Sequence, residues 1–416
     1  MHEWYRFVLS FPPHLVRDYL SILGIERGER VLDPFAGTGT TLVEVKKAGF
    51  VCAGIESHPM GHFASTVKTD WSINAEQLVE QAERVVNAAM DAAGEPIMEQ
   101  ELLVLHSASP LPEHLLARLD LEQEKLLLAQ SISPRPLHKI LALRDAITQM
   151  AEPSLQAHMR LALAKTAVTD ASNLHFGPEV GLGEVKEDAP VFESWLSRIF
   201  TMANDIEFVA KPGVLPAQVI RADARQAGES LPARSVDVVI TSPPYPNEKD
   251  YTRTTRLETV LLGFISSKKD LRELKEGLIR SNTRNIYKDD DDDQSVLQFK
   301  SVQRIAAEIE ARRLALGKTS GFERLYHRVT KHYFGGVARH LASIQKVLKP
   351  GARLAYVVGD QASFFRIKIH TGNILAEIAE HLGYKVEGID LFRTRMATAT
   401  RSTLREEVVR LSWNIP

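Results

Sequence analysis

The chain contains a short motif, Thr241-Ser242-Pro243-Pro244-Tyr245, whose residue types suit chemistry on an amino group. It follows an apolar run, 235–240, that predicts a buried parallel strand. Each proline fixes its own φ and constrains the residue before it, so the loop is expected to be rigid. A serine hydroxyl and a backbone carbonyl can each accept a hydrogen bond from an amino group, and a tyrosine ring can stack on a planar base. The predicted catalytic residues are Ser242, Pro243, Pro244 and Tyr245.

A second motif, far upstream, has the residue types of a nucleotide-binding turn. Residues 30–33 predict a strand that ends in the carboxylate of Asp33, and Gly37 and Gly39 lie in the turn that follows. Glycines let the backbone approach a ligand closely, and an acid after the next strand, Glu56, can hydrogen-bond ribose hydroxyls. No Gly-Lys-Ser/Thr sequence follows, which disfavours a P-loop. This segment alone leaves S-adenosylmethionine, other nucleotides and simple packing open.

Together the two motifs resemble those of the amino-methyltransferase family that modifies DNA at cytosine N4 or adenine N6. Residues 11–17 resemble the family's N-terminal cofactor segment, and 221–225 resemble its third cofactor motif. The resemblance implies S-adenosylmethionine as cofactor and an α/β fold of the class I methyltransferase (Rossmann-like) type, a mixed seven-stranded sheet with a helical insertion. It further implies a set of cofactor-binding residues: Phe11, Asp33, Phe35, Gly37, Gly39, Glu56 and Asp223.

The resemblance also suggests a role for each of the polar cofactor residues. Glu56 would bind the ribose hydroxyls, and Asp223 would meet the adenine amino group. Asp33 would hold the ammonium of the methionine moiety, directly or through water. Phe11 and Phe35 would line the pocket, although either residue could simply belong to the core.

Serine at position 242 favours cytosine N4 as the target, because the adenine-N6 members of the family usually carry Asp or Asn there. The predicted reaction is methyl transfer from S-adenosylmethionine to the N4 amino group of a flipped cytosine in DNA. Adenine N6 is the alternative, followed by RNA base methylation on the same fold and by a non-catalytic protein with a degenerate pocket. Ring-carbon methylation is disfavoured because it needs a thiolate, and the one cysteine, Cys52, lies within a predicted strand.

Double-stranded DNA is the predicted partner, although a net charge of −2 does not favour nucleic acid. Phosphate binding would therefore need local basic patches. The predicted phosphate contacts just after the catalytic loop are Lys249, Arg253 and Arg256. Further candidates lie before the acidic run and on the predicted edge hairpin: Arg280 and Arg284, then Arg393, Arg395, Arg401 and Arg405. The resemblance leaves room for cognate restriction or defence proteins as partners, as in restriction-modification. It leaves the oligomeric state open.

The composition of the whole chain is that of an ordinary globular protein, 44% hydrophobic and 25% charged. Its 416 residues suit one large domain with insertions, or two domains. A single cysteine excludes an internal disulfide framework. Because no apolar stretch reaches membrane-span length and the N-terminus is not a signal peptide, a cytoplasmic protein is predicted. Five successive aspartates, 289–293, lack the spaced ligands of a cation loop, so they predict a solvated surface loop and no metal site.

The order of predicted elements divides the chain into five segments. Strands are predicted at 30–33, 51–56, 217–221, 236–241, 352–358, 384–390 and 406–412, the last two as an edge hairpin. The segments are the N-terminal half of the cofactor-binding core (1–74), a mainly helical insertion and candidate target-recognition region (75–210), the catalytic half of the core (211–265), a second insertion with the acidic loop (266–335), and the C-terminal strands (336–416).

Overall fold

A computed structural model describes residues 1–7, 11–96, 111–177, 179–210, 213, 215–246, 250–396 and 403–414. The predicted phosphate contacts Lys249 and Arg401 lie outside these ranges. The chain divides into two compact units. The first comprises Met1–Ser10, Phe63–Val214 and Tyr251–Glu273, and the second comprises Phe11–His62, Leu215–Asp250 and Leu274–Pro416.

Nine strands occur in the described residues. They are β1 (Arg30–Asp33), β2 (Val51–Ile55), β3 (Leu174–Phe176), β4 (Val180–Leu182), β5 (Ala217–Ile220), β6 (Val236–Thr241), β7 (Leu348–Gly359), β8 (Lys385–Met396) and β9 (Thr403–Trp413). Strands β3 and β4 form a small antiparallel hairpin in the first unit. The other seven form one sheet in the second unit, in the order β5-β2-β1-β6-β7-β9-β8.

The order and direction of the seven strands identify the fold. Strands β5, β2, β1, β6 and β7 are parallel, and β9 runs antiparallel to both β7 and β8. This mixed, doubly wound sheet is the class I methyltransferase arrangement, so the predicted fold class is confirmed. The predicted hairpin of the last two strands is also present, with β8 at the edge of the sheet.

Fourteen α-helices accompany the strands in the described part of the chain. They are α1 (Pro13–Ile22), α2 (Thr40–Lys47), α3 (Pro59–Thr69), α4 (Ala75–Ala92), α5 (Leu121–Glu124), α6 (Pro134–Met150), α7 (Pro153–Thr166), α8 (Val191–Val209), α9 (Tyr251–Thr254), α10 (Arg256–Leu261), α11 (Lys268–Glu276), α12 (Lys300–Ala315), α13 (Tyr326–Ile344) and α14 (Thr371–His381). Helices α4 to α10 belong to the first unit. None of the described helices combines the length and the apolarity needed to cross a bilayer.

The central strands of the sheet are buried on both faces. Leu32 and Val239 face a core shared with α13 and α14, whereas Val31, Val238 and Ile240 face a core shared with α1 and α2. A strand covered on both faces needs apolar side chains at successive positions rather than at alternate ones. This is why the run before the serine-proline motif could be recognised as a central strand from sequence.

The aspartate run 289–293 is not the solvated loop that its composition predicts. Asp290 pairs with Arg280 at 2.7 Å, and Asp292 is buried between two arginines. Those partners are Arg225 and Arg339, at 2.7 and 2.8 Å from the Asp292 carboxylate. The prediction was wrong because it considered only repulsion between neighbours in sequence. The neutralising cations come from distant segments, and buried charges of this kind require such partners.

In the first unit, Glu258 is a buried acid whose carboxylate accepts a hydrogen bond from the Tyr5 hydroxyl at 2.5 Å. Burial raises the pKa of Glu258 from 4.5 to about 7. The folded protein therefore holds a proton on Glu258 at pH values where the unfolded chain has lost it. The stability that this proton supplies is complete below pH 4.5 and is lost as the pH rises through about 7.

The Glu258→Gln variant should remove this pH dependence. The amide oxygen still accepts from Tyr5, and no charge is buried at high pH. We expect the free energy of unfolding at pH 8 to rise by about 2–3 kcal/mol over the unmodified chain, with little difference near pH 4. Urea unfolding of both proteins from pH 4 to pH 8 measures this difference. A difference that does not vary with pH would contradict the assignment.

Candidate active site

The two motifs predicted from sequence meet at one edge of the sheet. Parallel strands end at the same edge, and β1, β2, β5 and β6 all end there. The contact between the motifs is direct, because the Thr241 hydroxyl donates to Asp33 Oδ1 at 2.6 Å. The last residue of the strand before the serine-proline loop is thus bonded to the last residue of the strand before the glycine turn.

The glycine turn adopts a conformation that its two glycines make possible. Gly37 and Gly39 have φ values of 52° and 83°, in the left-handed region that side chains rarely adopt. This conformation aims the Gly37 N–H at Glu56 Oε2, 2.7 Å away, while the His58 N–H donates to Oε1 at 2.7 Å. Glu56 is therefore fixed at the end of β2 by two backbone donors. A carboxylate has about four acceptor positions, so two remain for hydroxyl groups of a ligand.

The two acids at these strand ends have raised pKa values. Burial, together with the nearby charge of Asp33, raises the pKa of Glu56 to about 7. Burial likewise raises the pKa of Asp33 to about 6. Asp33 Oδ2 is buried and has no hydrogen-bond partner among the described residues. Two acids that lack full solvation would gain from a ligand that carries hydroxyl donors and an ammonium group, so these residues fit S-adenosylmethionine.

Sequence reasoning missed a buried pair, His340 and Tyr356, that lies next to Phe35 of the glycine turn. The Phe35 ring packs edge-on against His340, with ring centroids 4.8 Å apart. His340 Nδ1 donates to the Ala224 carbonyl at 2.8 Å, so Nε2 accepts from the Tyr356 hydroxyl at 2.7 Å. Burial lowers the pKa of His340 to about 4, which keeps the imidazole neutral. No sequence signal marks this pair, because its members lie on a helix and a strand that meet only in the fold.

Asp223, in the middle of the third cofactor motif, is held by Arg225 of the same motif. Its Oδ1 accepts the backbone N–H of Arg225 at 2.8 Å. The Arg225 guanidinium bonds both carboxylate oxygens, with its shortest contact, 2.6 Å, to Oδ2. Phe11, by contrast, is a half-buried ring packed against the core under α1. Roles in cofactor binding for these residues remain predictions.

The serine-proline loop presents its hydroxyl and its ring at the end of β6. Ser242 Oγ donates to the Val357 carbonyl at 3.2 Å, which uses the one proton of the hydroxyl and leaves its lone pairs as acceptors. The Tyr245 ring lies against Gly359, where an added Cβ would come within 2.7 Å of Tyr245 Cε2. Cys52 is buried within β2, and burial raises the pKa of its thiol to about 12. This cysteine is therefore not a thiolate nucleophile.

Another residue that the sequence analysis missed is Asp360, directly after β7. Its side chain is buried and pairs with Lys368 at 3.2 Å, while Oδ1 has no hydrogen-bond partner in the described part of the chain. The signal that marks Asp33, an acid directly after a buried apolar strand, also occurs here and could have identified Asp360.

The arginines predicted to contact phosphates differ in the hydrogen bonds and ion pairs that their guanidinium groups make within the protein. Arg256 donates to the carbonyls of Thr252 and Leu126, at 2.8 and 3.1 Å, and Arg253 has its Nε buried. Both belong to the first unit. In the second unit, Arg393 and Arg395 pair with Glu406 and stay about half exposed. Glu406 also flanks Gly359, against which the Tyr245 ring packs.

Comparison with known proteins identifies relatives along nearly the whole chain. The type II methyltransferase M.BsoBI of Geobacillus stearothermophilus is 24% identical over 441 residues, which cover 96% of this chain and 82% of the relative. The type II methyltransferases M.AvaI of a Nostoc strain and of Anabaena variabilis are each 25% identical over 431 residues, covering 97% of this chain and 85% of the relative.

Two further comparisons do not bear on the function of the chain. No family model matches the chain. A solved structure described as a SAM-dependent methyltransferase from Methanosarcina mazei is 9% identical, covers 98% of this chain and all of its own, and superposes with a TM-score of 0.33. That likeness is too low to bear on the assignment.

The relatives and the motifs agree, and the predicted resemblance is confirmed at the level of a methyltransferase. S-adenosylmethionine is the cofactor, as predicted, and the acids at the ends of β1 and β2 fit it. The chain has the sheet order, the glycine turn and the serine-proline loop of a methyltransferase, and it is similar along nearly its whole length to these type II methyltransferases.

Proposed function

We propose that the chain methylates the N4 amino group of a cytosine flipped out of duplex DNA. Bound S-adenosylmethionine would supply the methyl group: the N4–carbon bond forms as the carbon–sulfur bond of the sulfonium breaks, S-adenosylhomocysteine is the leaving group, and the displaced N4 proton passes to solvent. DNA is the proposed substrate because the relatives are type II methyltransferases and the serine-proline loop has the form used on base amino groups. The observation that carries the proposal is the Ser242 hydroxyl, whose only proton is donated to the Val357 carbonyl.

An exocyclic amino nitrogen is a poor nucleophile because its lone pair is delocalised into the ring. Two acceptors outside the ring plane can draw the amino hydrogens out of that plane and return electron density to nitrogen. The oriented Ser242 oxygen and the Pro243 carbonyl would be these acceptors. A neutral hydroxyl is a weaker acceptor than a carboxylate. The preference for cytosine rests on the family resemblance, because adenine-N6 members usually carry Asp or Asn at the position of Ser242.

The position of Tyr245 supports a role in holding the extruded base. Flipping a base costs a few kcal/mol, because the target atom cannot be reached inside the duplex. Stacking on an aromatic side chain returns about 1–3 kcal/mol. Because Gly359 has no side chain, the Tyr245 ring can lie close against the end of β7. The site is thus built to position its reactants, and good positioning can supply about 7–11 kcal/mol of the barrier reduction.

The substrate class is tested by transfer of a labelled methyl group. The protein is incubated with labelled S-adenosylmethionine and with either duplex DNA or RNA of mixed sequence. We expect incorporation into DNA and much less into RNA. Equal or greater incorporation into RNA would favour an RNA base methyltransferase instead. If neither substrate is methylated and calorimetry detects no cofactor binding, the chain is a non-catalytic protein.

The exposed arginines beside the tyrosine suit contacts to DNA phosphates. We expect Arg395→Gln to reduce the slope of the logarithm of DNA affinity against the logarithm of salt concentration by about one, because one fewer counterion is released on binding. Fluorescence anisotropy of labelled duplex DNA over a range of salt concentrations gives this slope. Arg410→Gln is the control, since two nitrogens of Arg410 bond Asp390 and its side chain is less exposed than that of Arg395, 30% against 41%. Equal slopes for the unmodified chain and the Arg395 variant would exclude this phosphate contact.

A further inference from the structure

Arg225 joins the cofactor acid Asp223 to the buried part of the aspartate run. Its guanidinium donates to Asp223 Oδ2 at 2.6 Å through Nη2 and to Asp292 Oδ2 at 2.7 Å through Nη1. Nη2 also donates to the Glu276 carbonyl at 2.8 Å. The side chain is only 10% exposed, so these contacts are largely shielded from water. A planar guanidinium bonded in three directions has little freedom to rotate.

Asp292 is fixed from its other side. Its Oδ1 accepts from Arg339 Nη1 at 2.8 Å, so one carboxylate serves two arginines. Its backbone lies directly on α13, where a Cβ on Gly335 would come within 1.9 Å of the Asp292 carbonyl oxygen. The side chain is 2% exposed. Asp292 is therefore a rigid buried anion rather than part of a solvated charge run.

We propose that Asp292, acting through Arg225, positions Asp223 to recognise the amino group of the cofactor's adenine ring. The inference rests on the proposed role of Asp223 and adds the residues that give it a fixed direction. The Arg225 guanidinium bonds both Asp223 oxygens, Oδ1 at 3.1 Å and Oδ2 at 2.6 Å, and Oδ1 also accepts the Arg225 backbone N–H at 2.8 Å. These bonds fix the carboxylate, whose remaining acceptor positions suit a ring amino donor and reject a ring oxo group.

The test compares two ligands that differ at that ring position and in the proton that the adjacent ring nitrogen, N1, carries in the oxo form. S-adenosylhomocysteine and S-inosylhomocysteine, in which an oxo group replaces the amino group, are titrated by calorimetry into the full chain. The unmodified protein should prefer the adenosyl ligand. In Asp292→Asn, we expect the affinity for the adenosyl ligand to fall about tenfold and the affinity for the inosyl ligand to change little, so the preference is lost.

Asp291→Asn is the matched control. Asp291 is the neighbouring aspartate and pairs with the same Arg339 at 2.9 Å, but its side chain is 77% exposed. This variant should bind both ligands like the unmodified chain. Arg225→Lys is a second, independent test, because lysine keeps the charge and loses the planar fork. It should also lose the preference, and it decides the question if Asp292→Asn does not fold.

Three results would overturn the inference. One is an equal loss of affinity for both ligands in Asp292→Asn, which would make Asp292 merely structural. Another is an unchanged preference in a folded Asp292→Asn or Arg225→Lys variant. The third is an unmodified protein that does not distinguish the two ligands. None of these results concerns methyl transfer to DNA, so the proposed function is judged separately by the labelled-methyl experiment.

Discussion

Replacing Ser242 with alanine should lower kcat by about 10²–10³-fold, the usual cost of removing one preorganised polar group that acts on the transition state. The hydroxyl is oriented by its bond to the Val357 carbonyl, and alanine removes the acceptor that this bond directs. The Pro243 carbonyl remains, so transfer should persist at a low rate. The affinity for S-adenosylmethionine should not change, because Ser242 makes none of the contacts proposed for the cofactor.

Steady-state kinetics with duplex DNA, together with calorimetric titration of the cofactor, separate these two effects. Ser235→Ala is the matched control, since Ser235 lies just before β6 and its hydroxyl bonds only locally, to the Pro232 carbonyl at 2.7 Å. It should leave both quantities unchanged. If Ser242→Ala keeps its full kcat, the hydroxyl is not an acceptor in the reaction, and the argument for an amino-group target loses its main support.

Replacing Glu56 with glutamine should weaken binding of S-adenosylmethionine about 100-fold, because hydrogen bonds to a charged acceptor contribute about 1.5–3 kcal/mol each. The amide also cannot accept from both the Gly37 and His58 N–H groups, so the turn loses one of its two anchors. Once saturated with cofactor, the variant should keep most of its kcat. This pattern is the reverse of that expected for Ser242→Ala.

The same residue predicts how cofactor affinity depends on pH. The pKa of Glu56 is about 7 in the free protein, and ribose hydroxyls that donate to the carboxylate would lower it. Binding therefore releases a proton at pH 6, and affinity should rise about tenfold between pH 6 and pH 8. Glu56→Gln should abolish this rise, whereas Asp237→Asn, at the opposite end of the sheet, should keep it. A rise that persists in Glu56→Gln would assign the titration to another group.

The sequence predicted those features that are encoded by a contiguous stretch of residues. A strand followed by a glycine turn or by two prolines is a contiguous pattern, so the ends of β1 and β6 and the sheet itself were predictable. The meeting of these ends also followed from the sequence, because parallel strands end at one edge. The hydrogen bond from the Thr241 hydroxyl to Asp33 directly joins these two strand ends.

Contacts between distant segments were not predictable in the same way. The partners of Asp292, Arg225 and Arg339, are distant in sequence on either side of it. From the aspartate run alone, repulsion between neighbouring charges predicted a solvated loop. Arg256 read as a cation close to the catalytic loop, yet its guanidinium bonds carbonyls of its own unit. In both cases, the sequence gives the charge of the side chain but not the groups that bond it in the folded protein.

The identity of the methylated base is the sharpest test of cytosine N4 as the target. Duplex DNA containing all short sequence contexts is incubated with the protein and S-adenosylmethionine, digested to nucleosides, and separated by liquid chromatography with mass spectrometric detection. We expect N4-methylcytosine, and about 10²–10³-fold less of it in a parallel reaction with Ser242→Ala stopped after the same short time. A product that consists of N6-methyladenine or 5-methylcytosine would contradict this target.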